Sequence, residues 1–220
     1  MTRTEDIAIK GAAAAEKPAI DTVIFDMGGV LIDFAPDKFV ERYPVLSEDE
    51  KRLLANEVFK SGPWSLLDFG EITEEEEIGM VCERVPERLH KVVEDLVRTW
   101  DDPIIPMPGM AELTAELKEN GYRLLLLSNA GPRHDEYWPK IPGSENFEGK
   151  VVSAYERLFK PQTEIFELLI KRFGVDPKRA VFIDDSPPNC AGAMMCGLDA
   201  IVFRSCEDLR DELRRRGVCI

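Results

Sequence analysis

The 220-residue sequence predicts an α/β fold: one parallel sheet between two helical layers, with an all-helical segment inserted behind the first strand. Three observations predict it. Four short runs are apolar throughout rather than alternating, as strands covered on both faces are. Helical patterns separate these runs, and strands alternating with helices build a parallel sheet with right-handed crossovers. Residues 36–104 carry helical patterning and no strand-like run.

Taken in order, residues 1–19 read as a loosely held extension, with Ala12 to Ala15 favouring a helical turn. The first strand is expected over Thr22 to Asp26. The insertion has helix-like stretches near Asp37 to Arg42, Ser47 to Lys60, Thr73 to Val85 and Pro86 to Trp100, and Pro103, Pro106 and Pro108 mark its return. The core is then 20–35 together with 105–220. A helix over Pro108 to Glu119, closed by Asn120-Gly121, leads to a strand over Tyr122 to Leu127. Lys150 to Ser153 is a shorter strand candidate. Thr163 to Phe173 places Ile165, Phe166, Leu169 and Phe173 on one stripe, with Gly174 as the stop. A strand over Ala180 to Asp184, a helix over Pro187 to Gly197 and a strand over Asp199 to Phe203 follow. The runs Glu74 to Glu77 and Arg214 to Arg216 read as solvated helix faces. Trp64, Trp100 and Trp138 read as packing residues, with Trp64 a candidate for the rim of a ligand site.

Lys plus Arg is 28 against 42 Asp plus Glu, a net charge of −14. With no basic stripe to displace counterions, nucleic acid is not an expected partner, whereas a small phosphorylated ligand at one local positive site remains compatible. No apolar run approaches the roughly 18 residues of a membrane span. The first residues carry Glu5, Asp6 and Glu16 without an apolar core, unlike a secretory signal. Five cysteines, an odd number without a CxxC pair, suggest a reduced cytoplasmic protein. His90 and His134 are the only histidines, too few for a zinc site built from His and Cys.

The ends of the strands carry the chemistry. The first ends in Asp26, followed by Met27-Gly28-Gly29. The second runs into Ser128-Asn129 and the third into Asp184-Asp185-Ser186, while Lys160 precedes Pro161 and a helix. Parallel topology gathers these ends on one edge, where ligands of open α/β sheets bind, and the insertion hangs over that edge as a lid. Asp26 at the end of an apolar strand is costly to bury without a cation or donors around it. It suits either a turn that caps local amides or a Mg²⁺ ligand and phosphorus nucleophile. Adjacent Asp184 and Asp185 repel unless a divalent cation offsets them, or one caps the helix and the other is exposed. Ser128 and Asn129 offer donors to phosphate oxygens or form a polar turn. Lys160 neutralises charge at a transferring phosphoryl group or is simply solvated.

As a set, Phe25-Asp26-Met-Gly-Gly-Val-Leu31, Leu127-Ser128-Asn129, Lys160-Pro161 and Phe182-Ile-Asp-Asp185 resemble the haloacid dehalogenase-like hydrolase superfamily, and Gly70-Glu-Ile-Thr73 resembles its helical-cap subclass. The resemblance implies a three-layer Rossmann-like core with an inserted helical cap, and a Mg²⁺-dependent phosphatase of small phosphorylated metabolites. Asp26 is then nucleophile and metal ligand. The Gly28 carbonyl and Asp185 bind the metal, as does Asp184 directly or through water. Ser128, Asn129 and Gly29 hold the phosphoryl oxygens, and Lys160 pairs with both Asp26 and the phosphoryl group. One departure stands out: most phosphatases of the family have a second Asp two residues after the nucleophile, as general acid and base, and here that position is Gly28. Asp33 is a candidate substitute. The stretch around His134 and Tyr137-Trp138-Pro139 is similar to bacterial glucose-1-phosphate phosphatases, which makes His134 a candidate substrate contact or proton donor. The missing Asp also keeps two alternatives open, a haloacid dehalogenase and a non-enzymatic binding or regulatory protein.

Overall fold

The structure is a computed structural model that describes residues 19–220. The helical turn expected at Ala12–Ala15 lies outside the described residues.

Strand β1 (Thr22–Phe25) is the first element of the described residues. The insertion follows with α1 (Pro36–Val40), α2 (Glu48–Leu54), α3 (Gly62–Phe69), α4 (Glu74–Cys82) and α5 (His90–Thr99). The core resumes with α6 (Met110–Glu119), β2 (Arg123–Ser128), the single turn α7 (His134–Tyr137), β3 (Gly149–Val152), the single turn α8 (Ser153–Glu156) and α9 (Thr163–Phe173). It closes with β4 (Ala180–Asp184), α10 (Pro187–Met195), β5 (Asp199–Val202) and α11 (Cys206–Arg215). All four strand pairings are parallel, in the order β3-β2-β1-β4-β5.

The uninterrupted apolar strands are explained by two cores. Val23, Phe25, Leu124, Leu126, Val181 and Ile183 pack on one face with α6, α11 and the insertion. Ile24, Leu125, Leu127, Val151 and Phe182 pack on the other with α9 and α10. Period-2 alternation therefore persists, but between two apolar environments.

Within the insertion, capping boxes start two helices. Ser47 and Glu50 satisfy each other's backbone N–H groups at α2, and Thr73 and Glu76 do so at α4. The expected helix over Ser47 to Lys60 is one helical run that widens into a π-turn at Ala55–Phe59. Helix α3 is an addition to the helices expected from the sequence; Pro63 occupies its first turn, where a missing N–H is harmless. Gly70 ends it at φ 74°. A Cβ there would collide with the Ala154 carbonyl of α8, so only glycine lets the insertion seat this closely on the core.

The two linkers of the insertion are paired with each other. The Asp33 N–H donates to the Ile105 carbonyl (2.8 Å) and the Met107 N–H to the Leu31 carbonyl (2.9 Å). On the outer side, Arg133 after β2 forms ion pairs with Glu74 of α4 and with Asp101 (3.1 Å).

The acidic run at Glu74–Glu77 is not a solvated face throughout. Glu77 points inward, is 0% exposed, and neither of its oxygens has a hydrogen-bond partner among the described residues. Burial, with Asp68 and Glu74 adding repulsion, raises its pKa from 4.5 to about 8. Between these two values the native state holds a proton that the unfolded chain has lost, so stability falls as pH rises through that window. Glu77→Gln removes the ionisation, and a gain on the order of 2 kcal/mol at pH 8 is expected, with nothing gained near pH 4. Thermal denaturation across this range checks it; a Tm–pH slope equal to that of the wild type would contradict it.

Candidate active site

Register builds the site. Phe25 pairs with Leu126 on one side and Ile183 on the other. One residue further, Asp26 lies level with Asp184, and its N–H donates to the Ile183 carbonyl (2.8 Å). Ser128, the last residue of β2, lies next to them on the same edge.

Lys160, 1% exposed, reaches in from the loop before α9 and lies 2.7 Å from Asp26 Oδ1 and 2.7 Å from Asp184 Oδ2. Burial works against its ammonium charge, but the two carboxylates outweigh that, and its pKa ends above the ordinary lysine value. Asp184 is itself held by the Ser186 N–H (2.8 Å) and by Asn189 Nδ2 (3.0 Å). Asp185 turns outward. Asp26, Asp184 and Asp185 each offer an oxygen, all within 4.8 Å of one another, a spread that one oxygen-loving cation bridges with small shifts. Three carboxylates face one ammonium, so the centre carries excess negative charge. Burial raises the carboxyl of Asp26, Lys160 pulls it down and Asp184 pushes it up again, leaving it above the usual range. Burial and then Asp184 likewise raise Asp185. The donor set fits a divalent cation, whose charge would relieve both.

The loop after β1 wraps back on itself, with the Leu31 N–H (2.8 Å) and the Ile32 N–H (3.0 Å) on the Met27 carbonyl. Gly29 takes φ +76°, and a Cβ there would lie 2.5 Å from Asp185 Oδ2. Its role is therefore to give Asp185 room. Its N–H donates to the Ile32 carbonyl (2.8 Å), so it is not the phosphoryl donor the sequence suggested. Gly28 lines the cavity beside Asp26.

Ser128 is buried and its hydroxyl has no partner among the described residues, an orphaned donor at the edge where a phosphoryl oxygen would need one. Asn129 lines the cavity, but its side chain clamps the Lys160 backbone: Nδ2 donates to the Lys160 carbonyl (3.1 Å) and Oδ1 accepts from the Lys160 N–H (2.9 Å). This amide positions the lysine.

Two expected residues stay away from the centre. His134 is fully buried, stacks on Trp138 (centroids 5.4 Å apart), and among the described residues neither ring nitrogen has a hydrogen-bond partner, Asp135 Oδ1 lying 3.8 Å from Nδ1. Burial, helped by Lys150, lowers its pKa to about 4, so it is a neutral packing residue without a proton to give near pH 7. Asp33 pairs with the exposed Lys38 and does not line the cavity.

The centre opens into a cavity of about 260 Å³. Asp26, Asp185 and Asp68 are its acidic residues, and Phe34, Trp64, Trp100 and Tyr137 form an aromatic wall; among the described residues no Lys or Arg lines it. Trp64 thus lines the candidate cavity. Asp68 was missed by sequence reasoning, because nothing local distinguishes an Asp near the end of an unforeseen helix; the stop signal at Gly70 could have located that helix.

A family model described as a haloacid dehalogenase-like hydrolase matches residues 20–197. The D-ribitol-5-phosphate phosphatase of Bacteroides thetaiotaomicron is 26% identical over 207 residues, covering 88% of this chain and 97% of that one. Acyl-CoA dehydrogenase family member 10 of Mus musculus is 27% identical over 188 residues, but this chain spans only 17% of its length. Among solved structures, a mutant HAD family enzyme of B. thetaiotaomicron in complex with magnesium and inorganic phosphate superposes with a TM-score of 0.69 at 25% identity, covering 89% of this chain and all of that one.

Proposed function

Because the chain belongs to the haloacid dehalogenase-like hydrolases, we propose that it is a Mg²⁺-dependent phosphatase of small phosphorylated metabolites, acting through a phosphoaspartyl group on Asp26. The observation that carries this reading is the meeting of Asp26, Asp184 and Asp185 with the buried Lys160, two of these carboxylates, Asp26 and Asp185, lining one cavity. Asp26, Asp185, Asp184 and the Gly28 carbonyl would hold the metal. When bound, Mg²⁺ supplies the positive charge that lets a carboxylate and a phosphate dianion approach each other.

Asp26 attacks phosphorus with its carboxylate, and Lys160 fixes the orientation of that carboxylate through Oδ1. Lys160 and the Ser128 hydroxyl together stabilise charge on the phosphoryl oxygens. The aromatic wall excludes water from the organic part of the substrate. At about 260 Å³ the cavity is below the usual range of ligand pockets, which favours a substrate of a few carbons. Its acidic lining, without Lys or Arg, disfavours a second anionic group on the substrate. The same feature disfavours the dehalogenase reading, since a haloacid needs a cation for its carboxylate. The B. thetaiotaomicron relative named for ribitol 5-phosphate supports a polyol or sugar phosphate. The cysteine pattern supports a cytoplasmic setting.

The test is phosphate release, with Mg²⁺ and with EDTA, from ribitol 5-phosphate, glucose 1-phosphate and 2-phosphoglycolate, beside chloride release from 2-chloropropionate. Release from the polyol or sugar phosphate that EDTA abolishes is expected, with 2-phosphoglycolate slower by roughly tenfold or more, about 1.4 kcal/mol of like-charge repulsion. Chloride release without metal would revive the dehalogenase. Magnesium binding without any turnover would leave a binding protein.

A further inference from the structure

A carboxyl is missing at position 28, and neither Asp33 nor His134 reaches the cavity. We propose that Asp68 of the helical insertion is the catalytic proton donor and acceptor, in the place of the carboxyl that Gly28 lacks. The inference rests on the phosphatase reading and deepens it.

Position is the first ground. Asp68 lies near the C-terminal end of α3 and lines the same cavity as Asp26 and Gly28. It is fixed to the core as well as to the insertion. The buried Ser153 hydroxyl donates to the Asp68 carbonyl and accepts the Ala130 N–H (2.9 Å), tying this turn to the end of β2. Two residues on, Gly70 rests against Ala154. The carboxyl is thus carried by a segment seated directly on the catalytic edge.

Elimination is the second ground. Asp26, Asp68, Asp185 and Tyr137 are the titratable side chains that line the cavity. Asp26 and Asp185 belong to the metal cluster. Tyr137 is held well above an ordinary phenol, mainly by burial, and is too weak an acid. Asp68 remains, and among the described residues it forms no ion pair.

Its surroundings keep a proton on it. Burial raises its pKa well above the usual carboxylate value; the Trp64 side chain, as hydrogen-bond donor, opposes this and Asp26 adds to it. Glu77 and Glu74 face this region from α4 and Tyr137 from α7, while Arg133 is engaged by Glu74 and Asp101. A neutral carboxyl is what a general acid requires.

The chemistry balances. As an Asp26 oxygen bonds to phosphorus, the bond from phosphorus to the leaving oxygen breaks. The Asp68 proton passes to that oxygen and an alcohol departs. Water then attacks phosphorus as Asp68 takes its proton, the bond from phosphorus to the Asp26 oxygen breaks, phosphate leaves, and Asp26 and Asp68 return to their starting states.

The test compares an alkyl ester, ribitol 5-phosphate, with p-nitrophenyl phosphate, whose leaving group needs no proton. In Asp68→Asn, the first turnover of the alkyl ester is expected to slow by about 10²-fold or more. The burst of p-nitrophenolate persists, and the phosphoenzyme accumulates as a phosphate adduct in the intact-protein mass. Gly28→Asp on the Asp68→Asn background is expected to recover alkyl-ester turnover: a Cβ at Gly28 meets Phe34 Cβ at an ordinary 3.5 Å, and its φ lies outside the left-handed region. Equal slowing of both first turnovers, with no adduct and no recovery in the folded double variant, would overturn the assignment. A wild-type protein inactive on both esters would instead sink the phosphatase reading beneath it.

Discussion

Asp26→Asn is expected to lower phosphate release by roughly 10⁴- to 10⁶-fold, the scale seen when a covalent nucleophile is removed. The substitution keeps shape and volume, so the sheet edge is undisturbed. What it removes is the only group in the cavity that is both held by Lys160 and set beside the other metal-binding carboxylates. It also removes one of three crowded negative charges, so the metal-free variant should unfold no earlier than the wild type. The thermal shift on adding Mg²⁺ should shrink, because stabilisation by a ligand follows its affinity, about 2.7 kcal/mol at a hundred times Kd. Phosphate-release assays and melting curves with Mg²⁺ and with EDTA check both halves. Near-wild-type turnover would refute Asp26 as nucleophile.

Lys160→Met is expected to damage stability as much as activity. The ammonium lies 2.7 Å from each of two buried carboxylates. Methionine fills much of the space but leaves Asp26 and Asp184 facing each other without a counter-charge. Breaking a buried ion pair from one side costs about 3–5 kcal/mol, which lowers Tm by roughly 10 °C in a domain of this size. Turnover should fall by about 10²- to 10³-fold through loss of a charge aimed at the phosphoryl oxygens. The loss of stability should be largest in EDTA and smaller with Mg²⁺, since the metal offsets the same two carboxylates. A melting curve in EDTA that matches the wild type would mean that the Asp26–Lys160–Asp184 triad does not form.

The sheet was legible because burial on both faces writes itself into consecutive residues: Val23-Ile24-Phe25 and Leu124 to Leu127 need no knowledge of distant contacts. The meeting of Asp26, Asp184 and Asp185 at one edge was legible for the same reason, since a polar residue that ends such a run has one place to go. What stayed hidden depends on partners far along the chain. Asn129 looks like a phosphate donor until Lys160, 31 residues later, takes both ends of its amide. His134 looks available until Trp138 and Tyr137 close over it. Glu77 sits in a run of four glutamates, and only the packing of α4 shows that it faces inward. Asp68 is defined by Trp64, Ser153 and Asp26, none of them within three residues of it.

The paired linkers at Asp33–Ile105 and Leu31–Met107 restrict how the helices above the sheet can travel. Two segments stitched side by side do not act as independent tethers: the exit and the return of the chain form one short ribbon with a shared backbone frame. With the Asp68–Gly70 turn held on Ser153 and Ala154, that ribbon gives the helices a second anchor on the core, and the placing of Trp64 and Asp68 at the cavity is set by backbone amides at both.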